Sequence, residues 1–162
     1  MAEKELYFGD EEFIVSKTDL KGRITYGNSS FIKISGYAEQ ELLGAPHNIL
    51  RHKDMPKLVF ALLWEYIESG KEIFAYVVNR TKHGDYYWVF ANVTPSYDES
   101  GAIVGYHSIR RKPTDEALHI IKPLYSELLR IEQQRGVSGA KEHLEKLLEQ
   151  KGLDYEQFIL SF

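Results

Sequence analysis

A short polar loop and two later side chains carry residue types that can hold a bound molecule. The loop contains Arg51, His52 and Asp54. The guanidinium of Arg51 can donate two parallel hydrogen bonds to a phosphate or carboxylate. The imidazole of His52 can donate or accept a hydrogen bond. The carboxylate of Asp54 can fix the tautomer of that imidazole or accept from a hydroxyl group. Trp64 offers a flat π surface, and Asn79 pairs a donor with an acceptor. The alternative interpretation is structural: Asp54 accepts from the N–H groups of a helix start and pairs with Arg51.

The composition excludes several ways of holding a cofactor. The 162-residue chain contains no cysteine, so disulfides, thiolate metal sites, thioether-bound haem, cysteine nucleophiles and flavin–cysteine adducts are impossible. The formal charge of −4 is mixed in sign, and it gives no basic surface for nucleic acid. No apolar run approaches about 18 residues and no secretion signal is present, so we expect no membrane insertion and a cytoplasmic location.

The histidines and the catalytic motifs bear on two further function classes. His107 lies on the last predicted strand, and it can be the axial ligand of a haem if it points inward. Haem b is therefore kept as a minor alternative. The sequence contains no Gly-rich phosphate loop, nucleophile elbow or carboxylate dyad, and we expect that the protein is not an enzyme.

Hydrophobic periodicity predicts an α+β fold. Two β-prone runs, at 13–15 and 24–26, precede two short helices and a longer helix at 58–67. Three longer β runs follow, at 73–81, 85–94 and 102–111. The order β-β-α-α-α-β-β-β fits a five-stranded antiparallel sheet with its helices packed on one face.

The two long strands predict a sheet that is apolar on both faces, because successive residues alternate between the faces. The outer face displays six large side chains: Phe74, Tyr76, Val78, Tyr86, Trp88 and Phe90. A patch of this size is rarely left to water. Cover by the chain's own termini and cover by a second chain stay equal alternatives.

The composition divides the chain into three parts. We expect an N-terminal cap at 1–12, a central globular domain at 13–113 and a helical C-terminal extension at 114–162. The extension is predicted to form helices at roughly 115–135, 138–151 and 154–161. Pro123 is expected to start a new helical turn. Apolar residues recur at near-helical spacing, so the extension either packs on the outer face or docks a signalling partner.

The element order resembles a PAS domain, and local motifs make the resemblance more specific. Gly-Tyr at 36–37 and Gly-Asp-Tyr-Tyr-Trp at 84–88 are generic to many PAS domains. The run Arg-His-x-Asp-Met-Pro at 51–56 is more diagnostic. Together these motifs resemble the flavin-binding PAS domain of bacterial aerotaxis and energy-taxis receptors, from about residue 13 to about residue 128.

This resemblance implies a non-covalently bound FAD whose redox state reports electron-transport status. It associates Arg51, His52 and Asp54 with FAD retention, together with Trp64. It also implies that Asn79 lies beside the isoalloxazine ring.

The sequence departs from the family pattern early in the first long strand. Ile73-Phe74-Ala75 stands where the receptors usually have Trp-Ser-Gly. Ile73 removes an aromatic ring from the inner face, and Ala75 adds a methyl group where the flavin approaches. We therefore expect either looser flavin binding or another occupant of the site. Phe74 also makes the outer face more apolar.

The resulting expectation is a PAS redox sensor that signals oxygen or electron-transport status in chemotaxis. The sequence ends at Phe162, which resembles the energy-taxis arrangement in which a free-standing PAS protein works with a separate membrane-bound signalling protein or kinase. We also expect a homodimer through the outer sheet face and the N-terminal cap. The alternative is a cofactor-free PAS interaction module that assembles a receptor or histidine-kinase complex.

Overall fold

A single antiparallel sheet organises the fold in the computed structural model, which describes residues 3–162. The strands are β1 (Ile14–Thr18), β2 (Ile24–Gly27), β3 (Ile73–Arg80), β4 (Tyr86–Tyr97) and β5 (Ile103–Arg111). Their spatial order is β2-β1-β5-β4-β3. The predicted α+β fold with five antiparallel strands is confirmed, and β4 extends three residues beyond its predicted end.

Three helices connect β2 to β3 and lie on the inner face of the sheet. They are α1 (Ser29–Ser35), α2 (Glu39–Leu42) and α3 (Lys57–Glu68), with a 3-10 turn at His47–Leu50. The side chain of Asn28 caps α1 by accepting from the N–H of Phe31 at 3.0 Å. Gly36 ends α1 in the left-handed region, where a Cβ would be strained. These two caps explain why α1 begins and ends where the sequence predicts.

The strand register confirms the predicted faces. Val77 pairs with Val89, and Asn79 pairs with Tyr87, so alternate residues of β3 and β4 share the inner face. At Gly105 the backbones of β1 and β5 approach so closely that a Cβ would lie 2.2 Å from the carbonyl oxygen of Thr18. Only glycine fits at that position.

The C-terminal extension forms a long broken helix and a short one. They are α4 (Asp115–Lys151) and α5 (Tyr155–Ile159). Gly136 interrupts α4 with φ 73° and ψ −175°, which is the break that the sequence predicts. Pro123 lies inside α4, so the prediction that it starts a new helical turn is wrong. Within residues 3–162, no helix has the length and apolar character needed to cross a membrane.

The chain's own termini cover the outer face. Tyr125 of α4 packs on Trp88 with ring centroids 5.9 Å apart, and Phe162 lies 6.1 Å from Tyr76. Trp88 is consequently only 8% exposed and Tyr76 only 5%. This is the intramolecular alternative, and the homodimer through this face stays a prediction.

The N-terminal cap extends the sheet beyond the end of β5. The N–H of Leu6 donates to the carbonyl of Tyr86 at 2.7 Å, and the N–H of Tyr86 donates to the carbonyl of Lys4 at 3.0 Å. Met1 and Ala2, which also fall in the predicted cap, lie outside the described residues. The described part of the cap therefore occupies a strand edge that would otherwise be open.

Side chains occupy the free edge of β3. The Tyr125 hydroxyl donates to the carbonyl of Tyr76, and the Tyr155 hydroxyl donates to the carbonyl of Phe74 at 2.9 Å. The N–H of Val78 donates to the sulfur of Met55 at 3.3 Å. The extension is thus hydrogen-bonded to the strand that carries Asn79.

Candidate functional site

A cavity of about 100 Å³ lies between α3 and the inner face of the sheet. Trp64 and Asn79, both singled out from the sequence, are among the residues that line it. Trp64 is half-buried, and its ring meets that of Tyr106 edge to face with centroids 5.6 Å apart. A Cβ at Gly22 would lie 3.2 Å from the Trp64 ring. This inner cavity therefore has an aromatic wall and a buried amide.

Asn79 faces a phenol that has no hydrogen-bond partner. Asn79 is 5% exposed and sits opposite Tyr87 in the β3–β4 register. The Tyr87 hydroxyl is fully buried and makes no hydrogen bond within residues 3–162. Burial raises the pKa of Tyr87, so the group stays a protonated donor at neutral pH. Tyr87 does not line the inner cavity, so Asn79 is the polar group of this pair that a ligand in the cavity can reach.

A buried positive charge lies on the same wall. Arg110 is 3% exposed, donates to the hydroxyl of Ser16 at 2.7 Å, and places its Nη1 atom 3.1 Å from Nε2 of His47. Its guanidinium stacks 4.8 Å from the ring centroid of Phe31, and its Nε atom has no partner. No carboxylate within the described residues pairs with Arg110. The cluster therefore offers uncompensated positive charge to the inner cavity.

The charge states in this cluster follow from burial. Desolvation, followed by the nearby Arg110 charge, lowers the pKa of His47 to about 3, so its imidazole is neutral at pH 7. Desolvation lowers the pKa of Arg110 only to about 10, so the guanidinium stays charged. Sequence analysis missed this cluster. The signal was present, because strand alternation places Arg110 on the same face as Tyr106 and Ser108, which line the cavity.

A second concavity, the basic groove, lies outside the inner cavity, against α4. Its volume is about 750 Å³. Four of its lining residues are cationic: Arg51, Lys53, Lys57 and Arg80. Glu3 and Glu132 also line the groove, and they offset part of this charge. A groove with several lysine and arginine side chains suits a phosphate-bearing ligand.

Arg51 lies at the boundary between the two concavities. Its guanidinium carbon is 4.4 Å from the ring centroid of Phe60, and Phe60 lines the inner cavity. The backbone of Arg51 also forms an antiparallel bridge with Asn79. The structure thus connects one predicted loop residue directly to β3.

His52 and Asp54 do not reach the inner cavity. His52 is 2% exposed; its Nδ1 atom accepts from the backbone N–H of Asp54 at 3.0 Å and its Nε2 atom lies 3.4 Å from Oε2 of Glu3. The side chain of Asp54 is 61% exposed. These two residues shape the loop, and His52 forms part of the groove wall.

The alternative interpretation, in which Asp54 caps the start of α3, names the wrong residue. The carboxylate of Glu132 on α4 accepts from the N–H groups of Lys57 and Leu58 at 3.0 and 2.9 Å. Asp54 makes no such bond. The sequence predicted where α3 begins, but the cap comes from the C-terminal extension.

Two further expectations concern the cavity wall. Ile73 and Ala75 are buried on the inner face, but Ile73 packs beside Ile67 and Val93, and neither of the two β3 residues lines the cavity. These two residues therefore do not close the cavity. His107 alternates with the lining residues of β5 and does not line the cavity, so the inward orientation that a haem ligand requires is not found.

Comparison with known proteins agrees with this architecture. The PAS fold family matches residues 24–110, more than half of the chain. The chain is 47% identical to the aerotaxis receptor of Escherichia coli (strain K12) over 119 residues, which is 74% of this chain and 23% of the receptor. It is 25% identical to a nitrogen fixation regulatory protein of Klebsiella pneumoniae over 60% of this chain and 20% of that protein. The chain spans less than a quarter of the length of these relatives.

Solved structures share the fold at lower identity. A structure described as a light-oxygen-voltage domain studied with a flavin analogue has a TM-score of 0.60 and 23% identity, covering 71% of this chain and 87% of that chain. A PAS domain from Colwellia psychrerythraea has a TM-score of 0.57 and 24% identity, covering 63% and 86%. The chain therefore belongs to the PAS fold family, and it contains a PAS domain of the bacterial aerotaxis receptor family.

Proposed function

We propose that this chain is a redox-sensing PAS domain that holds FAD non-covalently and signals electron-transport or oxygen status in chemotaxis. The observation that carries the proposal is the buried Arg110 charge, which has no carboxylate partner and lies on the wall of the inner cavity. The 47% identity to an aerotaxis receptor supports the same function. When bound, FAD would supply a ring that takes up electrons and a proton.

The inner-cavity residues fit the polar edge of such a ring. Asn79 offers both a donor and an acceptor at the cavity wall. Arg110 places positive charge at the same wall, where it would favour a ring that gains negative charge on reduction. These two residues would therefore respond to the redox state, while Trp64 would supply a stacking surface.

The basic groove fits the remainder of the cofactor. Arg51, Lys53 and Lys57 would bind the phosphates. Arg51 also stacks on Phe60 between the groove and the cavity, which suits a ligand that extends through both. We assign His52 and Asp54 to positioning this loop, because the His52 ring accepts from the backbone N–H of Asp54 and also lies 3.4 Å from Glu3.

The cavity must widen to admit a three-ring system. Its volume of about 100 Å³ lies below the range of about 300–1,000 Å³ that is usual for small-molecule sites. Trp64 and Phe60 are only half-buried, so their rotation is the least costly way to open it. This narrowness is also the specific observation that favours the second candidate, a cofactor-free PAS interaction module.

The same proposal includes a cellular setting. A chemoreceptor-type membrane protein or a kinase would receive the signal, and the domain would act in the cytoplasm without catalysing a reaction. The similarity to a receptor and the missing catalytic motifs support this setting.

An absorption experiment separates the two candidates. The full chain is purified aerobically, incubated with FAD and desalted. We expect retained flavin absorption that bleaches with dithionite. Arg110→Leu should lower the retained FAD per chain by at least about tenfold, because a charge-assisted contact is lost. Its folding should persist, since replacing a buried charge that has no carboxylate partner by an apolar side chain removes a desolvation cost.

Arg130→Leu is the matched control for this experiment. Arg130 is exposed and pairs only with neighbours on α4, so this variant should retain FAD like the unmodified chain. A colourless unmodified chain after FAD incubation would contradict the redox-sensor proposal and support the interaction module.

A further inference from the structure

The guanidinium of Arg110 has donors left over after its hydrogen bonds are counted. Nη2 donates to the hydroxyl of Ser16 and Nη1 donates to Nε2 of His47, while the buried Nε has no partner within residues 3–162. A guanidinium offers a planar fork of N–H groups, and a carboxylate accepts two parallel bonds from such a fork. Arg110 therefore has donors to spare for an acceptor that the described residues do not supply.

The acceptors that Arg110 does use are neutral. An arginine only donates, so Nε2 of His47 accepts and the imidazole is in its neutral form. The hydroxyl of Ser16 lies 3.2 Å from the same nitrogen. The ring of Phe31 covers the guanidinium with its centroid 4.8 Å from the guanidinium carbon. None of these groups cancels the charge, and a buried charge without a counterion is costly. The site therefore favours one added negative charge.

Most of the remaining cavity wall is apolar. It comes from α3, β3 and β4 and includes Phe60, Leu63, Trp64, Ile67, Val77 and Val93. Among the described residues, Arg110 is the one permanent cation that lines the cavity, and no acidic side chain lines it. A bare inorganic anion would leave the apolar wall without contacts, and a dicarboxylate would bring a second charge that has no cation to pair with. An anion with one charge and a short hydrocarbon tail fits both parts of the wall.

The volume of the cavity limits the length of that tail. The cavity measures about 100 Å³. A protein cavity of about 150 Å³ holds benzene, so the smaller volume suits a ligand of about five non-hydrogen atoms. Propionate has this size. The half-buried rings of Trp64 and Phe60 form the part of the wall that can move to admit it.

We propose that the inner cavity is a binding site for a short-chain monocarboxylate, whose carboxylate pairs with Arg110 and whose hydrocarbon tail packs against Trp64 and the apolar wall beside it. This inference goes beyond the proposed redox function, because it concerns the flavin-free chain and holds whether or not the chain binds FAD. The carboxylate and the flavin would meet the same guanidinium, so the two ligands would compete.

An NMR titration of the flavin-free, ¹⁵N-labelled full chain with sodium propionate tests the proposal at pH 7 and constant ionic strength. A ligand of about five non-hydrogen atoms reaches micromolar affinity at best, so the titration extends into the millimolar range. We expect saturable shifts at the backbone amides of Asn79, Ser108 and Arg110. Propionamide has the same shape without the charge and should not bind. Shifts confined to other parts of the chain, equal binding of propionamide, or equal binding of chloride would overturn the proposal.

A series of carboxylates tests the size limit without any variant. Affinity should peak at propionate or butyrate and should be at least about tenfold weaker for octanoate, because the longer tail overfills the cavity. An affinity that rises steadily with chain length would show binding at an open apolar surface, against the proposal.

Removal of the charge tests the role of Arg110. Arg110→Leu should weaken propionate binding at least about tenfold, because the charge-assisted contact is lost. Arg111→Leu is the matched control, since Arg111 is the next residue of β5, is exposed, and lies over Phe90 on the outer face. Equal propionate affinity of the two variants would overturn the proposal. The propionamide and chain-length comparisons decide the question even where Arg110→Leu does not fold.

The titration and the FAD absorption experiment fail independently of each other. Propionate binding by a chain that stays colourless after FAD incubation would support the carboxylate site and contradict the redox sensor alone. Retained FAD without propionate binding to the flavin-free chain would contradict the carboxylate site alone. Where both ligands bind, saturating propionate should lower the FAD retained per chain, and unchanged FAD retention would contradict a shared site at Arg110.

Discussion

Arg110 and His47 set the charge inside the cavity, and they do so as a pair. Nε2 of the neutral imidazole accepts from the guanidinium at 3.1 Å, so protonation of His47 would place two positive charges side by side. Desolvation of the His47 ring is the larger cause of its lowered pKa, and it likewise favours the neutral imidazole. The cluster therefore makes the folded state sensitive to acid, because the unfolded chain can take up a proton that the folded chain excludes.

This pair gives a pH-dependent stability. The pKa of His47 is about 3 in the folded chain against an ordinary value of 6.5, so stability falls as pH drops below about 6.5. Between pH 7 and pH 5 the unmodified chain should lose about 2 kcal/mol more unfolding free energy than His47→Gln. Urea unfolding of both proteins at the two pH values measures the difference. Parallel pH dependence would contradict a neutral His47 in the folded chain.

Single residues also show what the sequence could and could not predict. Trp64 and Asn79 were predicted as site residues, and the structure brings both to the inner cavity. Arg110 was missed although strand alternation reveals its face. The partnerless Tyr87 hydroxyl was beyond prediction, because hydrogen-bond satisfaction depends on the three-dimensional positions of every neighbour.

Among the elements, α3 shows how a distant segment fixes a local boundary. Helical spacing predicted its residues, and Pro56 precedes its first turn. The acceptor for its first N–H groups is Glu132, which lies 75 and 74 positions further along the chain than the two donors. Periodicity identifies an element, whereas such long-range partners require the packing of the whole chain.

Removal of this cap should weaken the contact between α3 and α4. Glu132→Ala should lower the unfolding free energy by about 1 kcal/mol, since two N–H groups lose their acceptor. Glu132→Gln should cost less, because its amide oxygen still accepts. Glu145→Ala, an exposed position on the same helix, is the control and should change stability by less than about 0.5 kcal/mol. Equal stability of all three variants, measured by denaturant unfolding, would argue against the cap.

For the whole molecule, the decisive feature is that both sheet faces are covered from within one chain. The inner face packs on α1 and α3. The outer face packs on α5 and on Tyr125 of α4. From the sequence, cover by a second chain and cover by the termini were equally open, since an apolar face does not specify its own partner. Tertiary packing shows cover by the termini, and cover by a second chain stays a prediction.

The covered faces predict a monomer. Light scattering after size exclusion should give a mass near 18.8 kDa, because the large outer-face side chains are already buried. Ile159→Asp, which places a charge on the buried side of α5, should be the variant that self-associates. A dimer of the unmodified chain would show that another surface pairs, and its mass would be about twice this value.

The tyrosine hydroxyls on the rim of β3 have a consequence for how the molecule behaves among copies of itself. An outermost strand with bare amide and carbonyl groups is a template on which further strands can add, and growth of that kind ends in fibrils. Tyr125 and Tyr155 engage two of those carbonyls, and Met55 engages an amide. The helices α4 and α5, which cover the outer face of the sheet, thus also block the addition of further strands at the edge of β3.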